Sequence, residues 1–205
     1  MTPTSRSIRH LGGAVAALAF FTTIWPADRA EPQATDLVVQ GRQALDADKA
    51  DEAITIFEKA VVSHPKDPAA LAWLGSAQVR KARTAPIFDR PGWVRKGFNT
   101  LDEAVERFPN AFIVYMVRGT TASGVPDLFR KAPVAITDLS TVIAMREKDP
   151  KAVPDSVMPS VYLHLGVAYK KNGQSDHARA AWEQGRTLYP SAPETPAIEK
   201  ELRSL

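Results

Sequence analysis

Residues 162–190 read YLHLGVAYKKNGQSDHARAAWEQGRTLYP, two apolar-periodic stretches joined by a polar turn. Tyr162, Leu165, Gly166 and Tyr169 recur at helical spacing, and Ala178, Trp182 and Gly185 do so in the second stretch. A small residue at Gly166 lets the first helix approach the second at Ala178, and Trp182 fills the space beside them. Gly173 sits at the turn and Pro190 stops the second helix.

The same skeleton runs through residues 37–65, LVVQGRQALDADKADEAITIFEKAVVSHP, with Leu37, Gly41, Ala44, Ala53, Phe57, Ala60 and Pro65 at corresponding places. Gly41 to Ala53 spans twelve residues, as does Gly166 to Ala178. A further copy begins at Leu71, Leu74 and Gly75, thirty-four residues after Gly41, and resumes at Gly97, Leu101, Ala104 and Pro109 with ten extra residues between its halves. Another carries Tyr115, Gly119 and Ala122, then Ala135, Leu139 and Val142, with four extra residues. A helix–turn–helix unit repeated at a fixed period marks an array in which each unit buries its apolar face against the next.

The pattern of an aromatic, Leu-Gly and Tyr, then Ala, an aromatic and Pro resembles the tetratricopeptide repeat. The resemblance implies an all-α, right-handed superhelix (α-α solenoid) of about four helix pairs, at residues 34–66, 67–110, 111–150 and 156–191 of a domain covering 31–205. PETPAIEKELRSL supplies a C-terminal capping helix at about 194–204. Three positions depart from the pattern: Gln40 and Arg118 stand where it has Leu, and Gly97 replaces Ala.

Residues 1–30 stand apart. Arg6 and Arg9 precede an uncharged apolar run from Leu11 to Trp25, followed by small residues at Ala27 and Ala30, as in a secretory signal peptide. The run is shorter than the roughly 20 residues of a spanning helix. Cleavage is expected near Ala30, with Ala27 and Ala34 as competitors, and an uncleaved segment would be the one route to membrane contact. Without residues 1–30 the chain loses Arg6, Arg9, Arg29 and Asp28, so 26 basic and 23 acidic residues become 23 and 22. That balance offers no footprint for nucleic acid. With no cysteine the chain has neither disulfides nor a lipidation site, so it is expected to be periplasmic or secreted and not a lipoprotein.

Chemistry-bearing motifs are sparse. His64, His164 and His177 fall outside any metal-ligand spacing and read as surface histidines. Asp46–Glu52, DADKADE, lacks the glycine and terminal glutamate of a calcium loop, and reads as a polar turn and an acidic helix start. No nucleophile elbow or phosphate loop is present, so neither catalysis nor a cofactor is expected.

The resemblance also implies a concave groove lined by the first helix of each pair, the place where such repeats hold a peptide or partner helix. By repeat position the lining comprises Val38, Arg42, Ala72, Ser76, Val79, Arg80, Met116, Thr120, Leu163, Val167 and Lys170. Its apolar members either form an open trough or pack against neighbouring helices.

Both expansions fall in the turn inside a helix pair. Pro86-Ile87-Phe88-Asp89-Arg90-Pro91 and Pro126-Asp127-Leu128-Phe129-Arg130-Lys131 each place an aliphatic–aromatic pair near an arginine. The first is read as a loop reaching Gly97, where the second helix begins. Lengthening a turn costs only about 0.6 kcal/mol per doubling, so composition carries the information. These pairs either fold back as a cap or project to meet a partner, with Ile87, Phe88, Arg90, Leu128, Phe129 and Arg130 as contacts. The expected function is a non-catalytic periplasmic scaffold or adaptor for a protein or peptide partner in envelope assembly. The alternative is a carrier of a lipid or other hydrophobic small molecule in the groove.

Overall fold

A computed structural model describes residues 34–205; the expected signal peptide lies outside the described residues. Four helix pairs follow one another: α1 (Ala34–Asp46) with α2 (Ala50–Ser63), α3 (Pro68–Lys81) with α4 (Arg90–Arg107), α5 (Phe112–Gly124) with α6 (Ala132–Lys148), and α7 (Met158–Lys171) with α8 (Ser175–Leu188). A ninth helix, α9 (Thr195–Arg203), packs on α8 and α7. The first helices of successive pairs also touch, α1 with α3, α3 with α5 and α5 with α7. This is the α-α solenoid that the sequence predicts.

Prolines start helices in this chain. Pro68, Pro91, Pro133, Pro159 and Pro196 each lie in the first turn of a helix, where the fixed φ is already helical and the missing N–H has no partner to lose. At α3 the Asp67 carboxylate adds a cap, accepting from the Ala69 N–H at 2.9 Å.

That habit corrects the reading of the first expansion. α4 begins at Arg90, so residues 90–96 are nearly two added helical turns, and the loop proper is confined to residues 82–89. The second expansion holds a 3-10 turn, Asp127–Phe129, closed by Arg130 in a left-handed conformation (φ 51°) that leads into α6. Register is unaffected, because Gly75 and Gly97 still face each other. A Cβ on Gly97 would lie 2.6 Å from the Gly75 carbonyl oxygen, and one on Gly75 would lie 2.8 Å from that of Gly97. Only two glycines permit this backbone approach.

The core is assembled at the seams between pairs. Val94, Phe98 and Leu101 of α4 pack with Val114 and Val117 of α5, and Leu139 and Val142 of α6 pack with Met158, Val161 and Leu165 of α7. A charged network is buried in it. Arg118 donates from Nε and Nη2 to the two carboxylate oxygens of Asp138, both at 2.8 Å, and from Nη1 to Asp102 at 2.8 Å. Asp138 is 1% exposed. Burial pushes the Asp138 carboxyl up while the Arg118 hydrogen bonds pull it back, and the hydrogen bond to Asp138 raises the guanidinium. Two parallel N–H···O bonds require a carboxylate, so the pair is read as ionised.

Candidate functional site

A cavity of about 750 Å³ opens on the inner row of helices. α1 contributes Arg42, α3 contributes Trp73, Ser76, Val79 and Arg80, and α4 contributes Arg90 and Val94. Met116, Thr120 and Thr121 come from α5, while Val125, Pro126 and Phe129 come from the second expansion. Ser160 and His164 of α7 and Glu194, just before α9, complete the far side.

Of the predicted groove residues, Arg42, Ser76, Val79, Arg80, Met116 and Thr120 meet around this cavity. Val38 packs half-buried in the first seam with Leu37, Ala60 and Ala70, and Ala72 is fully buried, so neither lines it. The C-terminal part of the expected groove is covered. Leu163 and Val167 pack with Trp182, Ile198 and Leu202, and Lys170 donates to Glu201 at 2.9 Å and to Ser204 at 2.8 Å. The amphipathic α9 occupies that face.

The two expansions divide by residue. Phe129 folds back, half-buried, against the cluster that holds Val94 and Phe98, and Arg90, itself exposed, borders the cavity with its Nε donating to the Ala85 carbonyl at 3.1 Å. Ile87, Phe88 and Leu128 project, at 67%, 94% and 75% exposure, and Arg130 is exposed beside them. Because Phe129 seats the second expansion on the first turns of α4, both sets of projecting side chains flank the same helix start.

The cavity's charge is one-sided. Arg42 stacks over Trp73, 5.0 Å from the ring centroid, while Arg80 and Arg83 share one carboxylate, Asp48, at 3.9 and 3.5 Å. Sequence reasoning missed Trp73, Arg83, Val94 and His164. Val94 lay in the expansion read as loop, whereas His164, read as a surface histidine, faces inward. Ser123 donates its hydroxyl hydrogen to the Thr120 carbonyl at 2.8 Å, so the His164 Nδ1–H donates to Ser123 Oγ at 2.8 Å. Burial lowers the His164 pKa and keeps the ring neutral at pH 7. Among the described residues no group of three His, Cys, Asp or Glu side chains is placed to hold a metal, and no helix is long and apolar enough to cross a membrane.

Residues 38–85 match the family model described as tetratricopeptide repeat. That match covers the first helix pair and the start of the second. Among solved structures it is similar to a thermophilic tetratricopeptide repeat protein of Thermus thermophilus, at 19% identity and a TM-score of 0.50, covering 84% of this chain and 100% of that one. It is also similar to a point mutant of MamA, at 21% identity and a TM-score of 0.50, covering 80% and 83% of the two chains. At these identities the likeness speaks to the fold. No curated protein matches the sequence. Tetratricopeptide repeats mediate protein–protein interaction, and proteins built from them are typically non-catalytic scaffolds.

Proposed function

We propose that this tetratricopeptide repeat protein is a non-catalytic adaptor of the bacterial periplasm, exported by residues 1–30, that holds a protein partner during assembly of an envelope complex. The observation that carries this reading is the edge beside the cavity, where Ile87, Phe88 and Leu128 stand out at 67%, 94% and 75% exposure. Large apolar side chains grouped at one edge, with Arg130 among them, have the composition of interface anchors.

Replacing both Phe88 and Leu128 by Ser is expected to leave the fold intact, since neither side chain is buried. Partner affinity is expected to fall by about 2 kcal/mol, roughly 30-fold, for the loss of two anchors. Co-purification from the protein's own periplasm measures this, and equal recovery of the same partner by wild type and the folded variant would overturn the reading. The apolar floor of the neighbouring cavity favours a second reading, in which the groove takes up a hydrophobic small molecule.

A further inference from the structure

Four guanidinium groups border the cavity on the side of the first two repeats: Arg42, Arg80, Arg83 and Arg90. Asp48 is the only carboxylate that pairs with any of them among the described residues, at 3.5 and 3.9 Å. The one carboxylate that lines the cavity, Glu194, comes from the turn before α9. Like charges gathered around one concavity repel each other, and low-dielectric walls focus their field inward. The floor between the two sides is apolar, made by Val79, Val94, Met116, Val125 and Phe129. Two of its hydroxyl hydrogens have partners: Thr121 donates to Ser76 at 2.9 Å, and Thr120 to the Met116 carbonyl at 2.8 Å. The charged donors of the cavity are the four arginines.

We propose that the cavity binds an anionic amphiphile, an aliphatic chain headed by a carboxylate or phosphate. The head lies among Arg42, Arg80, Arg83 and Arg90, away from Glu194, and the chain lies along the apolar floor. This rests on the second functional reading, uptake of a hydrophobic small molecule, and is independent of the adaptor edge. A polypeptide strand fits less well, because its backbone would cross a floor whose threonine donors already have partners.

The test is calorimetric titration of the full chain, below micelle formation, with dodecanoate, dodecyl phosphate, dodecanol and acetate. Dodecanoate and dodecyl phosphate are expected to bind, dodecanol at least roughly tenfold more weakly, and acetate not measurably, since the chain supplies the buried apolar area and the head adds the charged contacts. Arg80→Gln/Arg83→Gln removes two solvent-accessible charges, and an unchanged circular dichroism spectrum checks its fold. It is expected to lower dodecanoate affinity roughly 10- to 100-fold, the loss of a charge-assisted hydrogen bond, and to leave dodecanol unaffected. Dodecanol binding as tightly as dodecanoate, or full dodecanoate affinity in the variant, would overturn the anionic specificity while leaving small-molecule uptake standing. Failure of all three long-chain probes to bind would overturn both.

Discussion

Arg118→Leu is expected to destabilise the protein by about 3–5 kcal/mol, the cost of removing one partner of a buried ion pair. The substitution restores the residue that the repeat pattern places at this position, so the pattern alone would favour it. The buried surroundings of Asp138 give the opposite sign. Asp138, 1% exposed, loses both of its 2.8 Å donors and stays buried. Asp102 loses its bond too, but with half of its side chain in water it is resolvated. The double variant Arg118→Leu/Asp138→Leu is expected to recover most of the loss, because an apolar pair carries no desolvation penalty. Urea unfolding of the two single variants and the double variant measures the coupling. Additive effects would show that the pair does not hold the α5–α6 contact as described.

Trp182→Ala carries the second large effect, also about 3–5 kcal/mol. Trp182 is fully buried, its Nε1–H donates to the Leu163 carbonyl at 2.9 Å, and its ring lies where a Cβ on Gly166 would fall, 2.2 Å from Nε1. Ile198 of α9 packs on the same side chain. Truncation therefore opens a cavity between α7 and α8 and removes the platform on which α9 docks. Because repeat arrays are stabilised by nearest-neighbour contacts, the loss should be local. Hydrogen exchange is expected to show α8 and α9 losing protection while α1 to α4 keep theirs. Uniform loss along the chain would mean that the repeats unfold as one unit.

The small-residue skeleton made the helix pairs legible, because close approach at positions such as Gly75 and Gly166 admits few alternatives. The expansions were harder to read for a physical reason. Pro91 marks a loop when read as punctuation, yet in the first turn it opens a helix, and sequence alone does not say which role it takes. The same ambiguity hid Val94 from the candidate site. The C-terminal end of the groove was open to two readings: Leu163, Val167 and Lys170 hold the right repeat positions, but α9 lies on them, and helical period does not reveal which face a terminal helix covers. The split between Phe129, which folds back, and Leu128, which projects, was likewise beyond a pattern that counts both as apolar.

The reading that the expanded edge is where this protein meets its partner is tested most directly by site-specific photo-crosslinking in living cells. One variant carries the crosslinker in place of Phe88, and the other in place of Val62, an apolar residue of α2 that is 83% exposed but lies outside the expansions. The account predicts a discrete protein adduct from position 88 and none from position 62. The same adducts from both positions, or none from position 88 under conditions where the chain is folded and expressed, would contradict it.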